Sequence, residues 1–341
     1  MDVLGFIRSH LLAWPTLAKF AIALAIIVGV PPLSRRLKIP GIVGLLLAGI
    51  VIGPHGLELI GEHHPVAAFA SELGKLLLMF GAGLEIDLAL FRKVRNKAYI
   101  FGLLTTTLPF LLGTGVGLLF GYQIVPALVI GSLLASHTLL ALPIITRLRL
   151  TKLEPVLVTV GATVISDTLS LVIFAICVPT FKAGFSVVSF TVQIVEIAIF
   201  VPFILFGVSR LGAWLLKKVA DDEDAYFTLM LAILAVAGLV AQRINLPGIV
   251  GAFLAGLAVN AAAQKKPAKE KLEFFGNAFF IPIFFIVTGF LIDPIVFIRT
   301  IFENFPLVIG IILALLIGKA IAAGTAGWIF GYTSTARKTM W

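Results

Sequence analysis

The chain has 341 residues, of which 60% are hydrophobic, and a mean hydropathy of +1.11; this composition excludes an ordinary soluble domain of this length. Its apolar runs are continuous rather than alternating, which excludes a transmembrane β-barrel. Its single cysteine, Cys177, excludes a disulfide framework and a cysteine metal cluster. The net charge of +9 would suit a protein that binds nucleic acid, but the basic residues concentrate in alternate loops between apolar runs. We therefore predict an all-α polytopic membrane protein.

The apolar runs, separated by proline, glycine and charged residues, predict eleven membrane-spanning helices. They lie near residues 14–33, 39–57, 66–90, 98–120, 124–146, 153–178, 186–209, 225–242, 246–263, 272–293 and 305–330. The segment before the first run lacks a basic region followed by a small-residue cleavage site. We therefore expect the first apolar run to be a retained helix rather than a signal peptide.

The lysines and arginines predict the orientation of the chain in the membrane. Of these 26 residues, 19 fall in six alternate loops, near residues 35–38, 92–97, 147–152, 210–218, 265–271 and 337–338. Cytoplasmic loops are enriched in lysine and arginine. We therefore expect these loops in the cytoplasm, the N-terminus outside and the protein in the cell (inner) membrane. The basic charge is then a topology signal, and we expect no nucleic-acid partner.

Two segments of the chain recur at nearly the same offset. Residues 36–49 match residues 243–256 at nine of fourteen positions with an offset of 207, and the pattern of residues 83–91 returns at 289–297 with an offset of 206. The first copy of the earlier segment enters the membrane from the cytoplasmic side and the second from outside. This pattern predicts an inverted repeat, the plan of many secondary transporters; the alternative is chance similarity of glycine-rich apolar helices.

The repeat predicts how the chain is divided. Residues 1–180 form the first repeat with six helices, residues 181–224 a linker helix and a cytoplasmic loop, and residues 225–341 the second repeat. The offset places the counterparts of the runs at 124–146 and 153–178 beyond Trp341. We therefore expect the second repeat to stop short of its last two helices.

A carboxylate near the middle of the run at 153–178 is the leading candidate for function. Asp167 follows Ser166 there, and a charge at that depth costs about 2.5–3.5 kcal/mol. It therefore needs a partner, a proton or a function, and such a carboxylate can exchange a proton for a cation. The alternative is a polar residue that packs between helices and is satisfied by its neighbours.

The run at 124–146 is predicted to contain a broken helix. Ser136, His137 and Thr138 precede Pro143, which removes a backbone donor and crowds the preceding turn. Freed carbonyls and the Thr138 hydroxyl are oxygen ligands suited to Na⁺ or K⁺, so we expect Thr138 and Ser136 beside Asp167. A plain proline kink with a packing threonine is the alternative, and His137 is expected to be an interior histidine rather than a ligand.

Lys319 is the third candidate of this site. It lies too deep in the run at 305–330 to reach the membrane surface comfortably. Either it is the charge partner of Asp167, or it carries a proton of its own, or its role is structural. The predicted cation and proton site therefore comprises Asp167, Ser166, Thr138 and Ser136, with Asp167 and Thr138 as ligands of the transported Na⁺ or K⁺ and Lys319 as charge partner.

Four features of the chain carry a family resemblance: the Leu37–Gly41 segment, the Ser136–Thr138 segment, Asp167 placed 29 residues after Thr138, and Gly318–Lys319. They resemble those of monovalent cation:proton antiporter family 2, which includes Kef-type potassium efflux systems and NapA-type sodium/proton antiporters. The resemblance implies an NhaA/NapA-like inverted-repeat fold, with about 11 of 13 expected helices present. It also implies a homodimer whose core domain moves against a dimerisation domain, and Asp167 as the shared cation and proton site.

Ser166 departs from the family pattern, in which aspartate, asparagine or glutamine precedes the site aspartate. In the electrogenic branch, a preceding aspartate pairs with the lysine matched here by Lys319. The substitution leaves open whether Lys319 turns to Asp167, and it also leaves the stoichiometry open.

We predict a secondary active transporter that exchanges Na⁺ or K⁺ for H⁺ by alternating access at one carboxylate, one for one. We expect no cofactor beyond the transported ions. The expected partners are the lipid bilayer, a second copy of the chain and a C-terminal cytoplasmic regulatory domain outside this chain. One alternative is a gated potassium efflux pathway, and another is a membrane sensor that does not transport. No motif resembles a nucleophile–base pair, a phosphate loop or a metal-hydrolase site, so we do not expect an enzyme.

Overall fold

The structure is a computed structural model that describes residues 15–59, 65–85, 88–136, 153–183, 187–244, 246–263 and 267–340. These residues are helical apart from short connections. The helices are α1 (Thr16–Arg36), α2 (Gly41–Ile52), α3 (Pro65–Glu85), α4 (Leu88–Leu119), α5 (Ile124–Ala135), α6 (Glu154–Ala183), α7 (Val187–Pro202), α8 (Ser209–Lys218), α9 (Glu223–Arg243), α10 (Gly248–Ala263), α11 (Pro267–Phe275), α12 (Ile281–Phe290), α13 (Pro294–Glu303), α14 (Phe305–Ile329) and α15 (Ser334–Lys338).

Two short π-helical turns make longer helices out of these elements. Phe203–Val208 joins α7 to α8, and Gly276–Phe280 joins α11 to α12. With these joints, eight helical segments of the described residues are long and apolar enough to cross a membrane, and α2, α5 and α10 are shorter apolar helices. Each of the eleven predicted runs therefore contains an apolar helix, which confirms an all-α polytopic membrane protein.

By packing, the chain forms two compact units that do not follow its two sequence halves. The first unit comprises residues 1–85, 203–239 and 251–303, and the second comprises residues 86–202, 240–250 and 304–341. Each unit thus combines segments that lie far apart in sequence. The predicted division into repeats at residues 180 and 225 concerns sequence similarity, so it stays a prediction.

In the first unit, glycines at repeated positions allow close helix crossings. On α2, an added Cβ at Gly49 would meet the backbone of Ile286 on α12; on α3, one at Gly83 would meet the backbone of Phe253 on α10. Gly256, the sequence counterpart of Gly49, lies against the backbone of Phe80 on α3. Helix backbones approach this closely only where small residues remove the side chain between them. The crossing of α2 with α12 and the crossing of α3 with α10 are therefore of the same kind, and a glycine of the repeated pattern lies at each of them.

The second unit is built around α4, which packs against α5, α6 and α14. Its buried core is made of small and apolar side chains from three of these helices and from the end of the chain, namely Val94, Ala98, Phe101, Val158, Ala162, Ala322, Ala323, Ala326 and Met340. Alanines on α6 and α14 let each of these two helices pack closely against α4. This packing brings residues from distant parts of the sequence to the middle of the unit.

Candidate ion-binding site

Asp167 lies near the middle of the 30-residue helix α6 and is half-buried. At 1.5 Å per residue, it is about 20 Å from the beginning of that helix. The hydroxyl of Ser136 donates a hydrogen bond of 2.5 Å to Oδ1 of Asp167. A hydroxyl–carboxylate bond of this length is of the strong, charge-assisted kind. The structure therefore joins two of the predicted site residues directly.

Ser136 occupies this position because α5 ends at Ala135. The backbone of Ser136 is extended, with φ −62° and ψ 145°, so the helix stops in the middle of the predicted run. The expected break at Pro143 lies outside the described residues, and the observed end comes before it. The last carbonyls of a helix have no partner inside that helix, so the end of α5 presents acceptor groups inside the unit.

Lys319 on α14 supplies donors to these acceptors. Its ammonium donates hydrogen bonds to the carbonyls of Ala135 (3.2 Å), Ser136 (2.8 Å) and Thr105 (3.0 Å). Asp167 acts on the same ammonium electrostatically. A cation at the C-terminal end of a helix is stabilised by the helix dipole. The ammonium thus supplies donors to the carbonyls at the C-terminal end of α5.

The carbonyl of Thr105 is available to Lys319 because of Pro109. In an α-helix this carbonyl would accept a bond from the residue four positions later, but proline has no N–H, and Pro109 lies inside α4. Gly318 brings α14 up to this point, since a Cβ at residue 318 would lie 2.9 Å from Cα of Pro109. Proline on one helix and glycine on the other together place the ammonium.

Several hydroxyls of α6 near Asp167 donate to their own helix. Ser166 is fully buried and donates to the carbonyl of Thr163 (3.1 Å), and Ser170 donates to the carbonyl of Asp167 (3.0 Å). Such bonds are common for hydroxyls in membrane helices. Their oxygens keep lone pairs, so these side chains can still act as acceptors next to the carboxylate.

The structure brings Asp167, Ser136 and Lys319 together, with Ser166 beside Asp167. Thr138 and His137 lie outside the described residues. Sequence reasoning missed Thr105 and Pro109. A proline inside an apolar run frees the carbonyl four residues before it, and that signal was available at residue 109.

A polar cluster ties the same helices together at the end where α6 begins. Lys97 on α4 forms an ion pair with Glu154, the first residue of α6, and the Tyr332 hydroxyl donates to Glu154 Oε1 at 2.9 Å. The Lys97 ammonium also lies 5.0 Å from the centroid of the Tyr332 ring and 5.7 Å from that of Phe330. Partial burial, then the bond to Glu154, raises the pKa of Tyr332 above its ordinary value. Tyr332 therefore remains a hydrogen-bond donor at neutral pH.

The chemistry of the site follows from its oxygen atoms. One carboxylate, the Ser136 hydroxyl and backbone carbonyls at a helix break are hard-oxygen ligands, the kind that Na⁺ and K⁺ prefer. Broken helices at membrane depth are tolerated where they line a cavity or are buried in protein. Membrane-spanning helices, together with a short apolar helix that ends beside a carboxylate, are typical of the secondary-transporter class.

Comparison with known families agrees with this class. The family described as sodium/hydrogen exchanger, transmembrane, matches residues 22–341. The chain therefore belongs to the sodium/hydrogen exchanger family, whose members are membrane transporters. This confirms the resemblance to cation:proton antiporters that the sequence motifs indicated.

Relatives and a solved structure extend this result. The Na⁺/H⁺ antiporter NhaS5 of Synechocystis sp. is 42% identical over 325 residues, which are 95% of this chain and 47% of that protein. The chloroplastic K⁺ efflux antiporter 2 of Arabidopsis thaliana is 30% identical over 313 residues, covering 86% of this chain and 26% of that protein. The chain thus spans less than half the length of both relatives. The sodium proton antiporter MjNhaP1 from Methanocaldococcus jannaschii shares the fold, with a TM-score of 0.68 at 17% identity over 95% of this chain and 81% of that chain.

Proposed function

We propose that this protein exchanges a monovalent cation, Na⁺ or K⁺, for H⁺ by alternating access at Asp167. The observation that carries the proposal is the 2.5 Å hydrogen bond from Ser136, at the broken end of α5, to Asp167 on α6. Family membership and the antiporters among its relatives support the ion class. Thr138, two residues after Ser136, is the further ligand that we propose from the sequence.

A single carboxylate is sufficient to couple the two fluxes. It binds either a proton or a cation, because the cation needs the ionised oxygens that the proton would occupy. If only the loaded states cross the membrane readily, each cation that moves one way requires a proton to move the other way. Competition for one group thus produces exchange without a second binding site.

We further propose that the exchange is one for one. Ser166 stands where a second carboxylate would bring another charge. The Lys319 ammonium directs three hydrogen bonds to three carbonyls, and a neutral amine would lose at least one of these donors. In this proposal Lys319 serves as the donor that holds the three carbonyls in place and takes no part in the exchange.

The proposed architecture is that of an inverted-repeat homodimer in the cell membrane with the N-terminus outside. The contacts of Gly49 and Gly256 support the repeat. The two glycines occupy equivalent positions in the two copies, and each lets its helix approach a neighbouring helix closely. Inverted repeats provide alternating access when one part of the protein rocks against another around a central site.

Exchange is tested with full-length protein in liposomes that contain a pH-sensitive dye. Addition of Na⁺ or K⁺ to wild-type protein should move protons across the membrane in the direction opposite to the cation, and Asp167→Asn should abolish this movement. Asp221→Asn makes the same chemical change at an exposed residue and should exchange at the wild-type rate. Retained exchange in Asp167→Asn would refute the site.

Stoichiometry is tested in the same liposomes with valinomycin and K⁺ at defined membrane potentials. One-for-one exchange of Na⁺ for H⁺ moves no net charge, so its rate should not change with the potential. A rate that follows the potential would contradict the one-for-one proposal while leaving Asp167 as the site.

A further inference from the structure

An apolar cleft of about 310 Å³ opens between α1, α3 and the joined helix 267–290 in the first unit. Phenylalanine side chains from each of these three elements line it, among them Phe20, Phe69 and Phe279. Phe69 is 69% exposed and Val66, also in the lining, is 59% exposed. The volume is within the range of small-molecule sites, about 300–1,000 Å³. The walls therefore offer a preformed space for an apolar chain.

One charge lies in this cleft. Lys19 is the only charged residue among the lining residues that the structure describes, and it lies in the first turn of α1. Thr16 and Val66, which also line the cleft, lie at the beginnings of α1 and α3. A lysine near a helix end places its ammonium at the membrane surface and its methylenes on apolar neighbours. The cleft thus combines apolar walls with a positive charge at one end.

We propose that this cleft binds an anionic phospholipid, with an acyl chain between the phenylalanines and the headgroup on Lys19. An amphiphile of this charge matches both features of the cleft, and basic residues at the membrane surface attract anionic headgroups. A symmetric contact between two copies through the cleft is a poorer match. It would apply the same patch twice and bring the two Lys19 ammoniums towards each other.

The lipid would contact one of the glycine crossings of the first unit. Ile286 and Phe290 line the cleft. The same two residues form the surface against which Gly49 and Gly53 of the α2 segment pack. A chain in the cleft would therefore contact the same two residues of α12 that pack against the α2 segment, and lipid binding should stabilise the unit.

The test uses full-length protein stripped of lipid in detergent, with phosphatidylglycerol or phosphatidylcholine added back. Native mass spectrometry counts the bound lipid, and the thermal unfolding of the protein is measured as the temperature is raised. Wild-type protein should bind phosphatidylglycerol more tightly and gain thermal stability from it. Lys19→Gln should lower this preference about fivefold, the effect of one lysine at an anionic surface, which corresponds to about 1 kcal/mol. Ala23→Phe, which fills the cleft, should remove binding of both lipids.

Arg36→Gln is the matched control, because it removes one positive charge from the other end of the same helix. It should keep the wild-type preference. Equal binding of both lipids by wild-type protein, or an unchanged preference in Lys19→Gln, would overturn the proposal. Crosslinking of two Phe69→Cys copies in membranes, with loss of lipid binding on crosslinking, would assign the cleft to a second copy instead. Lipid binding that appears only after deletion of residues 1–14 would assign the cleft to that segment instead of to a lipid.

Discussion

Lys319 and Ser136 are joined by a hydrogen bond of 2.8 Å from the ammonium to the backbone carbonyl. The hydroxyl of the same serine donates to Asp167. One residue at the end of α5 thus connects the Lys319 ammonium to the Asp167 carboxylate through its backbone and its side chain. Any change in the position of this helix end should therefore change the hydrogen bonds of both Lys319 and Asp167.

Ser136→Ala should weaken cation binding more than it slows turnover. The change removes a proposed oxygen ligand and the hydroxyl that donates to Asp167, while the carboxylate stays. The expected result is a raised KM for the cation with a smaller change in kcat, measured by dye quenching at several cation concentrations. Ser132→Ala is the control one turn earlier, since its hydroxyl donates to the carbonyl of Val129. Equal effects of the two changes would contradict a specific role of Ser136.

Lys319→Met should destabilise the protein and stop exchange. It leaves the carbonyls of Thr105, Ala135 and Ser136 without their donor, and each buried acceptor left unsatisfied costs about 1–3 kcal/mol. Lys319→Arg keeps the charge and several donors, so it should retain more of the thermal stability. The measurement is the melting temperature in detergent together with exchange in liposomes. A Lys319→Met protein with wild-type stability and exchange would show that the three bonds contribute little.

Gly318→Ala should reduce stability, and Gly324→Ala on the same helix should not. A Cβ at residue 318 would lie 2.9 Å from Cα of Pro109, whereas one at residue 324 meets nothing within 4 Å. Both changes gain the same helix propensity, about 1 kcal/mol. Their difference therefore isolates the steric term, expected at about 1–3 kcal/mol. Equal melting temperatures for the two variants would show that α14 can move away from α4 without cost.

A second pair of glycines tests the crossing between α3 and α10. An alanine at residue 83 would press against the backbone of Phe253 and Leu257, whereas one at residue 81 meets nothing within 4 Å. Gly83→Ala should therefore be less stable than Gly81→Ala by about 1–3 kcal/mol. Thermal unfolding of both proteins in detergent measures the difference. Should Gly81→Ala prove the less stable, the crossing is not held by close backbone contact.

Tyr332→Phe should lower stability at neutral pH by at most about 1 kcal/mol, because the bond to Glu154 is exposed to solvent. The pKa of Tyr332 is raised in the folded protein, so its contribution is complete below the ordinary tyrosine value of about 10. The contribution decreases as the pH rises above that value and disappears above the raised pKa. Melting temperatures of wild type and Tyr332→Phe should therefore differ by a constant amount from pH 6 to 9 and converge at higher pH. Convergence below pH 9 would contradict the raised pKa.

The sequence by itself determined the class and the number of apolar runs, and it indicated the leading candidate for the site. Hydrophobic runs of about 20 residues have few solutions other than membrane helices, since backbone polar groups must be satisfied inside each segment. Asp167 is the leading candidate because a carboxylate in such a run is costly and therefore easy to recognise. The repeat at offsets 206 and 207 was likewise visible without coordinates.

Only the tertiary structure decided which groups meet. The helix α5 ends at Ala135. The Lys319 ammonium pairs with the Thr105 carbonyl, and His55 contacts Asp293 at 3.6 Å. Both contacts join residues that are far apart in sequence. A helix end or a freed carbonyl is satisfied by whatever donor the packing brings near, and local sequence carries no record of that donor. Close packing of glycine and proline surfaces sets those neighbours, and it depends on every helix of the unit at once.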